Sequence, residues 1–106
     1  MTDNFIVFTT YPDAESALGA AKHIVRQKLA ACVNVLPQMT SVYEWQGEAR
    51  TDTEHLLLMK TTAARYPALE SAIRDSHPYE LPEIIATPIA RGLEGYLEWI
   101  AAQTTA

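Results

Sequence analysis

The stretch PQMTSVYEWQGEARTDTEHLLLMKTT, residues 37–62, decides the fold of this chain. It predicts two long strands joined at Gln46-Gly47, because β-branched and aromatic residues flank a glycine-containing dipeptide suited to a tight turn. At roughly 3.3 Å per residue, about ten residues of strand extend ~30 Å. Such a hairpin reaches past the core of a small domain, so we expect it to form a projecting arm.

A strand, a helix and a second strand are predicted before this hairpin. The run Phe5–Thr10 is β-branched and aromatic, which predicts a strand. Apolar residues then recur at helical spacing from Asp13, a candidate N-cap, to Val25. The second strand begins at Ala31 and should be bent at Pro37, which has no N–H for a strand ladder.

Two helices and a strand are predicted after the hairpin. Helical spacing begins at Tyr66 and ends at His77-Pro78, since the residue before a proline avoids helical dihedral angles. A fourth strand is predicted at Glu83–Ile89, and Gly92 opens a last helix. Residues 103–106 are expected to fray.

The order β-α-β-β-α-β, with a helix after it, predicts an α+β ferredoxin-like sandwich in a single domain of 106 residues. Right-handed crossovers place the first two helices on one face of a four-stranded antiparallel sheet. Ile6-Val7-Phe8, Leu56–Met59 and Ile84-Ile85-Ala86 are nevertheless apolar at successive positions, as in strands buried on both faces. Either subunits associate over the second face, or the last helix folds across it and the arm is a flap.

Composition limits the partners. Thirteen acidic and eight basic side chains give a net charge of −5 without a Lys/Arg cluster, so nucleic acid is not an expected partner. The sequence contains no apolar run long enough to span a membrane and begins without a basic leader, so we expect no membrane partner. The single cysteine, Cys32, fits a reducing compartment, and we expect the protein to be cytoplasmic.

Three motifs together resemble the CutA divalent-cation tolerance family: LAACVN at residues 29–34, SVYEW at 41–45 and HPYELPE at 77–83. The resemblance covers nearly the whole chain. It implies a homotrimer of the same general design as the PII signalling proteins, with the sheets facing inward and the arms extending sheet edges between subunits. It also implies binding of copper or another divalent cation and a contribution to heavy-metal tolerance.

Imidazole and thiolate are the ligands to seek for copper(II), which heads the affinity order of first-row divalent ions. The chain has three histidines and one cysteine, and none of them has the spacing of a metal motif. His77, at a predicted helix end, and Cys32 are the candidate ligands for copper(II) or another divalent cation. The alternatives are a histidine that bonds backbone carbonyls and a cysteine that packs as a small apolar residue. A metal site would need several subunits.

A PII-like small-molecule sensor or signalling scaffold, without direct metal handling, is the alternative function. Its ligand would lie in a cleft between subunits. Lys60 must either pair with a carboxylate, which Glu54 or Glu83 could supply, or reach solvent, because an unpaired buried ammonium is costly. The polar and aromatic residues that could line such a cleft are Asn34, Trp45, Glu54, Lys60, Thr61, Tyr79 and Glu83.

Catalysis is not expected. Cys32 has no activating neighbour in sequence, and the chain lacks GxSxG, P-loop, GxGxxG and zinc-hydrolase motifs.

Overall fold

A four-stranded antiparallel sheet organises the computed structural model, which describes residues 3–105. The elements in chain order are β1 (Asn4–Tyr11), α1 (Ala14–Arg26), β2 (Cys32–Trp45), β3 (Glu48–Thr62), α2 (Tyr66–Ser76), β4 (Ile85–Pro88) and α3 (Glu94–Gln103). The strand order is β2-β3-β1-β4, and every neighbouring pair is antiparallel. The predicted α+β ferredoxin-like fold with a long hairpin and a C-terminal helix is confirmed.

The hairpin of β2 and β3 forms the predicted arm and gives the chain an elongated shape of 45 × 25 × 22 Å. Gln46 and Gly47 both have positive φ, 53° and 80°, as a type I′ turn requires. The ladder is interrupted by a bulge between Leu36 and Met39, so the predicted bend at Pro37 is also confirmed.

Replacing Gly47 by alanine should destabilise the protein by roughly 1–2 kcal/mol, because a Cβ disfavours positive φ. The matched control is Gly95→Ala in α3, where an added Cβ meets nothing within 4 Å. That change should stabilise by up to about 1 kcal/mol, since alanine is the better helix former. Chemical denaturation of both variants checks the pair, and the same sign for both would contradict the turn assignment.

The main core lies between the sheet and the first two helices. Val7, Leu57 and Met59 project from β1 and β3 and are 0% exposed. Leu69 of α2 is buried in the same cluster, and α1 contributes three more side chains, Ala17, Ala21 and Ile24. The predicted N-cap is confirmed, because the Asp13 carboxylate accepts the Ser16 backbone N–H at 2.8 Å.

The last helix, α3, packs against β1 and β3 on the second face of the sheet. Its Ile100 is 0% exposed. The second face is therefore partly covered, rather than bare, within one chain. Leu36 and Ile85 remain 41% and 57% exposed, so α3 leaves part of the apolar surface of the second face uncovered. No helix in residues 3–105 is both long enough and apolar enough to cross a membrane.

Three predicted boundaries were wrong. β4 begins at Ile85 rather than Glu83, because its ladder reaches only as far as Phe8 of β1 and Pro82 offers no N–H. α3 begins at Glu94, and Gly92 instead allows close packing: an added Cβ would lie 2.9 Å from the Leu97 side chain. Residues 103–105 do not all fray, since Gln103 is helical and Thr104 is buried. Residue 106 lies outside the described residues.

Candidate functional site

Polar and aromatic side chains line a cleft between the arm and the segment that follows α2. We call it the hairpin cleft; its volume is about 500 Å³. Its lining residues are Thr10, Tyr43, Trp45, Arg50, Asp52, Glu54, Pro78, Tyr79, Glu80, Leu81 and Glu83. Four of the residues predicted to line a ligand cleft, Trp45, Glu54, Tyr79 and Glu83, meet here.

Strand register explains the arm's contribution to the hairpin cleft. Tyr43 and Trp45 lie two residues apart on β2 and share one face of the arm. Tyr43 pairs with Arg50 on β3, so Arg50, Asp52 and Glu54 project from that same face. Alternation within two paired strands thus brings aromatic and charged groups together.

Two tyrosine hydroxyls donate to carboxylates in the hairpin cleft. The Tyr79 hydroxyl donates to Glu54 Oε2 at 2.8 Å, and the Tyr43 hydroxyl donates to Asp52 Oδ2. Burial, together with the bond to Glu54, raises the pKa of Tyr79 well above its usual value. The bond to Asp52 raises the pKa of Tyr43. Both phenols are therefore neutral donors near pH 7, and they fix the carboxylates they contact.

The hairpin cleft is acidic. Among the residues that the structure describes, Asp52, Glu54, Glu80 and Glu83 supply it with four carboxylates and Arg50 with one cation, a formal charge of −3. Glu54 is only 7% exposed. Clefts lined by one sign of charge concentrate counter-ions, so this one favours a cation, or a zwitterion held by its ammonium group. A simple anion is disfavoured.

Replacing Tyr79 by phenylalanine should change the alkaline stability of the protein. A group whose folded pKa is raised stabilises fully below its unfolded pKa, here 10.0, and loses that stabilisation as pH rises above it. Tyr79→Phe should lower the free energy of unfolding by roughly 1–3 kcal/mol at pH 7, because buried Glu54 loses its hydrogen-bond donor. It should also make the free energy of unfolding fall less steeply above about pH 10. Tyr43→Phe, at the exposed pair, is the comparison and should cost less at pH 7, because Asp52 remains exposed to solvent when it loses its donor. If the free energy of unfolding fell equally steeply above about pH 10 in wild type and in Tyr79→Phe, the raised pKa of Tyr79 would be contradicted.

His77 connects the segment after α2 to β1. Its Nδ1 accepts the backbone N–H of Tyr79 at 3.1 Å, so Nε2 carries the proton and donates to the Thr10 carbonyl oxygen at 2.6 Å. The ring also stacks on Tyr11, with centroids 4.5 Å apart. Both nitrogens are engaged within the chain, so metal binding at His77 would require the ring to give up one bond. The imidazole positions Tyr79 over Glu54.

Cys32, Asn34 and Lys60 form a second cluster on the sheet face that α3 partly covers. Lys60 Nζ donates to Asn34 Oδ1, and Cys32 Sγ lies 4.0 Å from that same oxygen. Proximity to Cys32 contributes, after burial, to the raised pKa of Tyr96 in α3. Of the two outcomes expected for Lys60, a carboxylate partner from Glu54 or Glu83 is not observed: within residues 3–105 Lys60 makes no ion pair, and its half-buried side chain donates to a neutral amide.

The remaining predicted residues do not share one site. Thr61 is buried and donates to the Leu29 carbonyl oxygen at 2.6 Å, so it joins β3 to the segment after α1. Thr10 pairs with Leu56 and Cys32 pairs with Lys60, which places the His77 end and the Cys32 end about 13 Å apart along β3. Within the described part of the chain, no three His, Cys, Asp or Glu side chains are grouped to hold a metal ion.

Sequence reasoning missed five polar lining residues of the hairpin cleft: Tyr43, Arg50, Asp52, Glu80 and Thr10. The signal for the first three was present, since a two-residue turn at Gln46-Gly47 fixes the register and therefore the shared face. Glu80 lies in an irregular segment, where no periodicity indicates its direction.

The fold and the hairpin cleft define a class of protein: a ferredoxin-like α+β domain with a projecting β-arm and an acidic, aromatic cleft at its base. The chain matches the family described as CutA1 divalent ion tolerance protein over residues 5–103, and it belongs to that family. The resemblance drawn from LAACVN, SVYEW and HPYELPE is thereby confirmed.

Relatives match over most of this chain. The divalent-cation tolerance protein CutA of Thermus thermophilus is 48% identical over 93% of this chain and 96% of its own. Human protein CutA is 43% identical over 92% of this chain, which spans only 54% of the human protein. A solved structure of the divalent cation tolerance protein from Thermus thermophilus superposes with a TM-score of 0.94 at 46% identity, covering 96% of this chain and 99% of that one.

Proposed function

We propose that this protein is a cytoplasmic homotrimer that binds copper(II) or another divalent cation and thereby contributes to heavy-metal tolerance, acting by binding rather than by catalysis. The observation that carries the proposal is its match, over nearly the whole chain, to relatives named for divalent-cation tolerance. A reducing compartment is compatible with the free thiol of Cys32.

Exposed apolar side chains support subunit association. On the arm, Val42 is 74% exposed and Trp45 is 37% exposed, and Ile85 on the second sheet face is 57% exposed. Val42 and Trp45 place apolar surface on opposite faces of the arm, and monomeric proteins rarely expose large apolar patches. Aromatic residues are also enriched at protein interfaces. The arm and the uncovered part of the second face are therefore the contact surfaces we propose for the trimer.

The ligand chemistry also favours assembly. One chain supplies no three-ligand group among residues 3–105, whereas three-fold symmetry presents each ligand three times. Cys32 is the first ligand we propose, since it is half-buried and its sulfur makes only a weak 4.0 Å contact. His77 is the second, and it must release Thr10 or Tyr79 to bind.

Calorimetric titration of copper(II) into metal-free protein tests this proposal. Wild type should give saturable heat, and Cys32→Ser should weaken the affinity at least about tenfold, because the hydroxyl is a poorer ligand for copper than a thiolate. His77→Gln should weaken it less. The exposed helix residue His23 provides the control, His23→Gln, which should match wild type. Linear, unsaturated heat in wild type would argue for an indirect role in tolerance.

A second candidate function is small-molecule sensing, and the hairpin cleft is the observation that favours it. Its volume of about 500 Å³ falls within the range of ligand pockets, and Trp45 and Tyr79 supply aromatic surface beside Glu54. Aromatic faces and carboxylates together suit an organic cation. Asn34, Lys60 and Thr61 lie outside this cleft.

A thermal-shift screen of organic ammonium compounds in metal-free buffer separates the two functions. A cleft ligand should stabilise wild type and lose most of that effect in Glu54→Gln, which keeps the side-chain size and removes the charge. The exposed arm residue Glu48 offers the control, Glu48→Gln. Equal stabilisation of both variants would remove the cleft from this role.

A further inference from the structure

Charged side chains of both signs follow one another along β3, on the face that lines the hairpin cleft. Arg50, Asp52 and Glu54 occupy alternate positions of the strand, so neighbouring members are roughly 7 Å apart. A cation therefore stands directly beside two carboxylates. A ligand with an ammonium and a carboxylate group on one carbon atom spans such a gap, because a charge-assisted hydrogen bond at each end adds about 2.8 Å.

Arg50 is not committed to a strong partner within the chain. Its one ion pair among residues 3–105 is with Glu48, at 3.9 Å, and the two side chains are 45% and 77% exposed. An exposed ion pair of this length contributes little to stability. Arg50 lines the hairpin cleft, whereas Glu48 lies outside it. The guanidinium can therefore turn to a carboxylate in the cleft at little cost.

The two carboxylates are held in place by tyrosines and keep an oxygen for a ligand. The Tyr43 hydroxyl donates to Asp52 Oδ2, and the Tyr79 hydroxyl donates to Glu54 Oε2 at 2.8 Å. No hydrogen bond among residues 3–105 reaches Asp52 Oδ1 or Glu54 Oε1. The bond to Asp52 raises the pKa of Tyr43, Glu54 raises it further and Arg50 lowers it, so all three charges act at one point.

We propose that the hairpin cleft binds a free α-amino acid with an apolar side chain, its ammonium group between Asp52 and Glu54 and its carboxylate on Arg50. The proposal rests on the small-molecule function proposed above for this cleft. A free amino acid carries both charges on one carbon atom, whereas a peptide terminus carries only one of them. Leu81 lines the cleft and is 71% exposed, so it offers apolar surface to the ligand side chain.

Amide NMR titration with three matched probes tests the proposal. L-Phenylalanine carries both charges, phenethylamine lacks the carboxylate, and 3-phenylpropionate lacks the ammonium group. L-Phenylalanine should shift the amides of Arg50, Asp52 and Tyr79 saturably, with a Kd of about 1 mM for so small a ligand. Phenethylamine should bind about three- to tenfold more weakly, the usual effect of one exposed charge pair. 3-Phenylpropionate should give no saturable shifts, because the carboxylates of the cleft repel it.

Two variants test the assigned roles. Arg50→Gln should remove the difference between L-phenylalanine and phenethylamine, since only the first probe uses the guanidinium. Asp52→Asn should weaken the binding of both probes, because both present an ammonium group. The exposed arginine at the end of α1 provides the control, Arg26→Gln, which should match wild type.

The probes also separate this inference from the broader role of the cleft. If phenethylamine binds and loses its binding in Glu54→Gln, while L-phenylalanine binds wild type no more tightly, the inference is overturned and the cleft remains a site for organic cations. If no probe gives saturable shifts, both the inference and that broader role are overturned. A preference for L-phenylalanine that persists in Arg50→Gln would also overturn the inference.

Discussion

Replacing His77 by alanine should lower the free energy of unfolding by roughly 2–4 kcal/mol and release the segment 77–83 from β1. The estimate combines two lost hydrogen bonds, one unsatisfied carbonyl at Thr10 and the lost stacking on Tyr11. Because this segment carries Tyr79 to Glu54, the hairpin cleft should open at the same time. Chemical denaturation measures the loss, and hydrogen exchange at the Tyr79 amide reports the release.

His23→Ala is the control for this prediction, since His23 is an exposed residue of α1 without a comparable network. It should change stability by no more than about 0.5 kcal/mol. If His77→Ala were equally mild and the Tyr79 amide stayed protected, His77 would not hold this segment. The residue would then be free to serve as a ligand, which is the role that the sequence first suggested for it.

Replacing Val42 by aspartate should dissociate the proposed trimer. Val42 is an exposed apolar residue of the arm, 74% accessible in the single chain, and association would bury a carboxylate without a partner three times over. This free-energy penalty should raise the dissociation constant of the trimer at least about a thousandfold, because a few kcal/mol at each of the three subunits add together. Analytical ultracentrifugation should therefore show a mass near 35 kDa for wild type and near 11.8 kDa for the variant.

Leu18→Asp is the matched control, because Leu18 is an exposed apolar residue of α1, 49% accessible, away from the arm. It should leave assembly unchanged. A monomeric wild type at micromolar concentration, or an associated Val42→Asp, would show that the arm does not join subunits. In that event the exposed residues of the arm would belong to a flap rather than to an interface.

Local patterns were sufficient to predict most of the fold. Helical spacing from Asp13 and the turn at Gln46-Gly47 act through neighbouring residues, so α1 and the arm followed from sequence. The start of β4 depends instead on a residue distant in sequence. Thr10 uses its carbonyl oxygen for His77, and the ladder between β1 and β4 stops at Phe8. Sequence spacing alone does not reveal such competition.

The site was predictable only in part, because sequence indicates which side chains are polar and aromatic but not where irregular segments lead. The positions of Trp45 and Glu54 in the cleft follow from strand alternation in the arm. Tyr79 reaches Glu54 only because the hydrogen bonds of His77 hold the segment after α2 in place. Lys60 was expected to pair with a carboxylate or to reach solvent; it is half-buried, and the neighbouring amide of Asn34 accepts its hydrogen bond. Glu54 projects from the same sheet face but lies six residues away along β3, about 20 Å, whereas the pairing of Cys32 with Lys60 brings Asn34 close to the ammonium group.

Native mass spectrometry of the metal-free chain, titrated with copper(II), tests most directly whether this protein is a cation-binding homotrimer. We predict an ion series for three chains of 11.8 kDa, about 35 kDa, that takes up copper to a fixed stoichiometry and retains it against a weak competing chelator. A monomer, or a trimer whose copper adducts grow in proportion to added metal without reaching a limit, would contradict the account.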